Sequence, residues 1–195
     1  MPDLVTTELQ PPKPMDRVVS LLRTGPRALV WRFVDQASRK VTGVPLWHLS
    51  RLRPFLYLGG QHAPRGWEAM QGEGITAVIN MREDYHSDAD KGIGGERHLN
   101  LATRDNTPTS IANIQSAAAF IHPAQGRGGK VYVHCALGVG RAAIATATYL
   151  IKYEGMTADE ALAEIRTVRP FVHPTHAQMR YLTSFANSVH GINIS

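Results

Sequence analysis

The segment from Lys130 to Leu150 constrains the fold of this chain most strongly. A short apolar run, Lys130–Val133, leads into the sequence His-Cys-Ala-Leu-Gly-Val-Gly-Arg at 134–141, and a run of mostly small residues follows to Leu150. β-branched and aromatic residues favour a strand, whereas the run after Arg141 has the composition of a buried helix. The glycines between them permit a tight connection. The sequence therefore predicts a strand, a tight loop and a buried helix in succession.

This connection, residues 135–141 (the cysteine loop), has the chemistry of a phosphate site. Backbone N–H groups at a helix N-terminus converge on one point and lack intrahelical partners. Arg141 would add a planar fork that grips two oxygens of an oxyanion. The same positive field stabilises a thiolate, so Cys135 is the candidate nucleophile, with His134 ordering the loop. The phosphate-binding residues would be Ala136, Leu137, Gly138, Val139, Gly140 and Arg141.

The pattern from His134-Cys135 to Arg141 resembles the His-Cys-x5-Arg signature of the cysteine-dependent protein tyrosine phosphatases. The flanking chain, over residues 49 to 188, is most similar to the small dual-specificity branch. The resemblance implies hydrolysis of phosphate monoesters through a phospho-cysteine intermediate, with phosphotyrosine as substrate and phosphoserine or phosphothreonine as a further option. It also implies that no metal or other cofactor is needed.

The family takes its general acid from an aspartate about thirty residues before the cysteine, and Asp105 stands at that spacing. It follows one predicted strand and precedes a predicted helix. The resemblance therefore implies that Asp105 protonates the leaving oxygen and then activates water. The plainer alternative is that Asp105 only shapes a turn, as aspartates often do.

One position departs from the family pattern. The signature arginine is usually followed by serine or threonine, whose hydroxyl donates to the cysteine sulfur, but here it is followed by Ala142. Losing a donor at a developing charge typically costs about 10²-fold or more in rate. We expect slow breakdown of the phosphoenzyme, unless another hydroxyl, such as that of Thr175, takes over the role.

Two other functional classes compete with an active phosphatase. A phosphate-binding pseudophosphatase is suggested by Ala142, although such a module has no need of Cys135, Arg141 and Asp105 together. A rhodanese-like sulfur transferase shares a related loop, but the acid upstream argues against it.

The substrate is less constrained than the chemistry. Phosphoinositide-directed relatives usually carry a basic residue between the cysteine and the arginine, and this loop has none. The stretch Ile79–Tyr85 is somewhat similar to mitochondrial-type lipid phosphatases, so a phospholipid with a single phosphate monoester is an alternative. Arg104, Arg169, His173 and His176 are expected to rim the pocket and attract anions.

Charge and cysteine content limit the remaining possibilities. The net charge of +5 favours acidic partners. No nucleic-acid-binding signature is present, so phosphorylated protein or phospholipid is the expected partner. The single cysteine excludes an intramolecular disulfide, and the sequence shows neither a signal peptide nor an apolar run long enough to span a bilayer. We expect a cytoplasmic protein, with peripheral membrane contact as an option.

The chain divides into three zones. Residues 1–14 are polar and proline-bearing and are expected to be disordered. Residues 15–44 form a helical extension, with six basic against two acidic residues within 15–42. Its apolar face is expected to pack on the catalytic domain or a second subunit, and an anionic membrane is the alternative. Residues 45–190 form the catalytic domain.

Within the catalytic domain, predicted strands alternate with helices. This pattern predicts an α/β fold, with a central, mostly parallel sheet of four to five strands and helices on both faces. Residues 82–96 read as a loop, Thr107-Pro108 as a helix start, and Pro174 as the first residue of the last helix. Thr157 and Glu160 match a capping box. The predicted strands are 55–58, 75–81, 97–101 and 130–134.

Overall fold

Five strands form the central sheet of the computed structural model, which describes residues 25–46, 50–83, 92–94 and 97–191. The strands are β1 (Arg51–Arg53), β2 (Leu56–Gly59), β3 (Ile75–Arg82), β4 (Arg97–Thr103) and β5 (Lys130–His134). Their order is β1-β2-β5-β3-β4. Only the β1–β2 pair is antiparallel, and β5 lies between β2 and β3. The predicted mostly parallel sheet is confirmed, and Cys135 follows the carboxyl end of its central strand.

Helices cover both faces of the sheet, as predicted. They are α1 (Gly25–Thr42), α2 (Trp67–Gly72), α3 (Ile111–Ile121), α4 (Ala124–Arg127), α5 (Arg141–Glu154), α6 (Ala158–Val168) and α7 (His176–His190). Helices α3, α5, α6 and α7 share one apolar core, whereas α2 packs on the opposite face. Every residue of α5 from Arg141 to Ile151 is buried, as its composition predicted.

The alternation of side chains along β5 separates the two cores. Val131 and Val133 point into the core beneath α5, while Tyr132 between them points into the smaller core beside α2. Successive strand side chains face opposite sides of a sheet, so this strand is buried on both. The burial holds the strand firmly at the point where it delivers Cys135.

Some predicted boundaries are wrong, each for a local reason. Helix α3 begins at Ile111 and not at Thr107-Pro108, because the Ser110 side chain caps the Asn113 N–H. Helix α7 begins at His176, because the hydroxyl of Thr175 caps it and Pro174 lies outside. Strand β1 was not predicted, since three residues carry little periodicity. The capping box of Thr157 with Glu160 is present as predicted.

Parts of the predictions cannot be compared with the structure. Residues 1–24, which include the predicted disordered zone and the start of the helical extension, lie outside the described residues. So do residues 84–91 and 95–96 of the predicted loop. Within that loop, Arg82 belongs to β3 and residues 92–94 form a turn.

Helix α1 presents its apolar side to solvent. The exposed residues are Leu29, Val30, Phe33, Val34 and Val41. The prediction that this face packs on the catalytic domain is wrong for these residues, while packing on a second subunit stays a prediction. Buried Asp35 takes the inward position, because its carboxylate is paired with Arg169 of the catalytic domain. The ion pair therefore fixes which face of the helix turns inward.

Candidate active site

The carbonyl groups of the cysteine loop are held from outside. Four consecutive carbonyls accept hydrogen bonds of 2.8 to 3.1 Å from neighbouring segments. The pairs are Ala136 with the Gln61 N–H, Leu137 and Gly138 with the Arg169 guanidinium, and Val139 with the His173 N–H. The scaffold thus fixes the orientation of each peptide plane in this part of the loop.

The orientation of these peptides decides where their N–H groups point. In a planar trans peptide the N–H is directed opposite to the C=O. Anchoring the carbonyls of residues 136–139 outward therefore turns the N–H groups of residues 137–140 to the other side. The Gly138 N–H donates to Cys135 Sγ at 3.2 Å, which places the sulfur on that side. The result is a cradle of backbone donors around a cysteine.

Gly138 meets a steric requirement of the cradle. Its φ is +66°, a left-handed conformation that residues with a side chain rarely adopt. A Cβ at this position would lie 2.3 Å from the carbonyl carbon of Gly59 at the end of β2. Only glycine lets the loop pass this close to the sheet, so the glycine pattern in the sequence is explained here by geometry.

The guanidinium of Arg141 is anchored through Nη1, while its Nη2 faces Asp105 and its Nε has no acceptor among the described residues. Its Nη1 donates to the carbonyl oxygens of Thr103 at 2.7 Å and Met81 at 3.4 Å. Among the described residues its buried Nε has no acceptor, and its Nη2 lies 3.0 Å from Oδ1 of Asp105. A buried unpaired donor is costly. The Nε–Nη2 edge is therefore suited to two oxygens of a tetrahedral anion.

Asp105 lies beside Arg141 at the solvent-facing side of the site. It follows β4, and its side chain is 60% exposed while it contacts Arg141. The chain turns sharply here, because Asn106 has a φ of +63° and the Thr107 N–H donates to the Arg104 carbonyl. The carboxylate is thus brought to the arginine that lines the cradle, with access to solvent.

Arg169 does not rim the pocket, contrary to the sequence prediction. Its side chain is 1% exposed and lies behind the loop, where it binds the Leu137 and Gly138 carbonyls. The prediction was wrong because a buried ion pair with Asp35 neutralises this arginine. No sequence signal joins two residues 134 positions apart. The other predicted rim residues, Arg104, His173 and His176, are exposed.

The residues near Cys135 show whether another hydroxyl can donate to its sulfur in place of the one that Ala142 lacks. Ala142 is buried and has no hydroxyl to offer. The Thr175 hydroxyl is committed elsewhere, since it accepts from the Gln178 N–H at 3.2 Å and donates to the Asn106 carbonyl at 3.4 Å. Thr175 therefore does not take over the missing role. His134 is buried at the end of β5, with its ring 5.1 Å from that of His62.

No three His, Cys, Asp or Glu side chains in the described part of the chain come together as metal ligands would. No helix there has both the length and the apolar character needed to cross a bilayer.

The comparison with protein families decides the assignment. The profile described as "Dual specificity phosphatase, catalytic domain" matches residues 56–188, more than half of the chain. The chain belongs to this family. The matched region of this dual specificity phosphatase domain includes β2 to α7, and thus the cysteine loop and Asp105, but not helix α1.

Individual relatives agree with the family assignment. Dual specificity protein phosphatase 26 of Homo sapiens is 33% identical over 140 residues, which cover 69% of this chain and 65% of the relative. Dual specificity protein phosphatase 12 of Rattus norvegicus is 32% identical over 124 residues, covering 63% of this chain and 37% of the relative. The chain therefore spans between about a third and two thirds of the length of these relatives.

A solved structure is similar over nearly its whole length. The crystal structure of PTPMT1 in complex with PI(5)P has a TM-score of 0.67 and 25% sequence identity. The match covers 72% of this chain and 96% of that chain. The dual specificity phosphatase domain described here thus has the fold of a protein that is crystallised with a phosphoinositide.

Proposed function

We propose that this protein is a phosphatase that hydrolyses phosphate monoesters through a phospho-cysteine intermediate. The observation that carries the proposal is the cradle of inward N–H groups around Cys135 Sγ, closed by the Nε–Nη2 edge of Arg141. Relatives named as dual specificity protein phosphatases support a phosphorylated protein as substrate. We propose phosphotyrosine, with phosphoserine or phosphothreonine as a further option. The uncharged residues 136–140 are consistent with a single phosphate group.

In the first step, the Cys135 thiolate attacks phosphorus and a sulfur–phosphorus bond forms as the ester oxygen departs. Asp105 gives that oxygen its proton, which prevents the release of an alkoxide. The loop N–H groups and Arg141 hold the three remaining oxygens and stabilise their charge in the transition state.

In the second step, water attacks the phospho-cysteine and the sulfur leaves as a thiolate. Asp105, now ionised, accepts the proton of the water. Among the described residues, the N–H of Gly138 is the one donor placed on the leaving sulfur. Because Ala142 supplies no hydroxyl, we propose that this step limits turnover.

Stopped-flow hydrolysis of a chromogenic aryl phosphate tests both proposals. We expect steady turnover between mildly acidic and neutral pH, preceded by a burst of phenol that matches the enzyme concentration. Ala142→Ser is expected to raise kcat by about tenfold or more and to shrink the burst, because a hydroxyl donor then stabilises the leaving sulfur.

The matched control is Ala145→Ser, which adds a hydroxyl one helical turn further along buried α5. It should leave the burst in place. A linear trace in the wild type, with no gain from Ala142→Ser, would contradict the slow second step. Absence of any turnover would contradict the phosphatase proposal and favour a phosphate-binding module.

A second candidate is hydrolysis of a phospholipid monoester at a membrane surface. The observation that favours it is the outward apolar face of α1, where Phe33 and Val41 are 76% and 79% exposed. The exposed side chain of Lys40 borders this face, whereas Arg32 and Arg39 are half-buried on the side of the helix that carries Asp35. An exposed apolar face beside a basic side chain suits the interface of an anionic bilayer.

Sedimentation with lipid vesicles tests this second candidate. We expect the protein to bind phosphatidylcholine vesicles that contain phosphatidylglycerol, and to be released by salt. The double variant Val30→Glu/Phe33→Glu should lower binding at least about tenfold, because it places charge in the apolar interface. The matched control, Ile111→Glu, changes an exposed apolar residue on α3. Equal binding by both variants would rule out α1 as the contact.

A further inference from the structure

We propose that Asp35 of helix α1 is a positioning residue for the cysteine loop, acting through Arg169. The inference rests on the phosphatase proposal and deepens it. Asp35 lies outside residues 56–188, the region that the family profile matches. The dual specificity phosphatase domain of this chain would therefore depend on a residue of its N-terminal extension for a well-ordered active site.

Asp35 is built into a buried network rather than a surface contact. Its side chain and that of Arg169 are each 1% exposed. Its two oxygens accept from Nη1 and Nη2 of Arg169, at 3.3 and 3.2 Å. Oδ1 also accepts from the N–H of Leu46 at 3.0 Å, and Ser50 Oγ accepts from Arg169 Nη1 at 3.0 Å. The carboxylate thus neutralises the arginine and sets its orientation.

The Nε–Nη2 edge of Arg169, which shares Nη2 with the edge that binds Asp35, holds the cysteine loop. Its Nε donates to the Gly138 carbonyl at 2.9 Å and its Nη2 to the Leu137 carbonyl at 2.8 Å. These are two of the four carbonyls that turn the loop N–H groups inward. The Leu137 carbonyl belongs to the same peptide as the Gly138 N–H, which donates to Cys135 Sγ. A shift of the guanidinium would therefore be transmitted directly to a donor on the nucleophile.

Removing the charge of Asp35 should disturb the loop for an electrostatic reason. A buried arginine without its carboxylate is strongly disfavoured, so its side chain moves toward water or toward other acceptors. The planar guanidinium spans the carboxylate and both carbonyls at once, and it cannot move without releasing some of them. The peptides at 137–139 would then no longer be held in one orientation.

The experiment compares alkylation of Cys135 in the full-length wild type and in Asp35→Asn. Iodoacetate is an anion and iodoacetamide is neutral. The rate of alkylation by iodoacetate divided by the rate by iodoacetamide, the alkylation ratio, therefore reports how well the loop attracts a negative group. We expect Asp35→Asn to lower this ratio by about tenfold. We expect kcat/KM for an aryl phosphate to fall about 10²-fold, with kcat affected as well as KM.

A matched control separates loop positioning from stability. Glu154→Gln removes a carboxylate from the ion pair with Arg53. Glu154 ends α5, about 20 Å along the helix from the loop. This variant should keep the wild-type alkylation ratio even if its thermal stability falls. A wild-type ratio and wild-type kinetics in folded Asp35→Asn would overturn the inference.

If Asp35→Asn does not fold, Arg169→Lys provides the test. Lysine keeps the charge beside Asp35 but lacks the planar fork that holds both loop carbonyls. We expect the same fall in the alkylation ratio, and an unchanged ratio would overturn the inference. An inactive wild type would contradict the phosphatase proposal instead. The alkylation ratio needs no turnover, so the two failures remain distinguishable.

Discussion

Cys135→Ser is expected to reduce hydrolysis of aryl phosphates by at least about 10⁴-fold. A serine hydroxyl remains protonated near neutral pH and is a much weaker nucleophile than a cysteine sulfur. Serine is also a poorer leaving group than sulfur when the intermediate breaks down. Because Cys135 is the only cysteine in the chain, no other thiol can substitute. Steady-state release of phosphate measures the effect.

Binding of inorganic phosphate is the control for this variant. The carbonyl anchors of the loop and the Arg141 fork do not involve the sulfur, so the affinity measured by calorimetry should change little. Substantial turnover by Cys135→Ser would contradict the role of Cys135 as nucleophile. Lost turnover with lost phosphate binding would point instead to a damaged loop.

Asp105→Asn is expected to lower kcat/KM by about 10²- to 10⁴-fold, the usual contribution of a general acid. The loss should depend on the leaving group. A nitrophenolate departs without a proton, whereas an alkoxide does not, so an alkyl phosphate should suffer far more than a nitrophenyl phosphate. Comparison of kcat/KM for these two substrates isolates the proton transfer from the other functions of the residue, because kcat/KM reports the first step and not the breakdown of the phosphoenzyme.

The control for the acid is Asp159→Asn, a change of an exposed aspartate in the first turn of α6. This variant should keep kcat/KM for both substrates near the wild-type values. Equal losses of kcat/KM for the alkyl and the nitrophenyl phosphate in Asp105→Asn would contradict the assignment of Asp105 as the general acid. They would indicate that Asp105 serves only to shape the turn or to pair with Arg141.

The elements around the cysteine were predictable because their determinants are local. The boundaries of β5 match the apolar run that ends at His134, and α5 begins at Arg141. Asp105 was found through a family spacing, and the structure brings it to Arg141. Each of these features depends on residues that are close in sequence, or on a spacing known from the family that the sequence resembles.

The support of the loop from behind was not predictable, because it depends on contacts between distant segments. Asp35 and Arg169 meet only when the extension docks on the domain, and each in isolation reads as an ordinary surface charge. The failure of the apolar face of α1 to pack on the catalytic domain was unpredictable for the same reason. Helical periodicity shows that a face is apolar. It does not show whether that face turns toward the core or toward solvent.

Trapping the phosphoenzyme tests the central claim most directly. The protein is mixed with an aryl phosphate, quenched within the burst and digested with trypsin, which releases the peptide Val131–Arg141 that contains Cys135. We predict that this peptide gains the mass of one phosphoryl group, that the group is lost on prolonged incubation after substrate is exhausted, and that Ala142→Ser reduces its level. Rapid turnover with no phosphoryl group on this peptide at any quench time, or with the group on another residue, would contradict the phospho-cysteine mechanism.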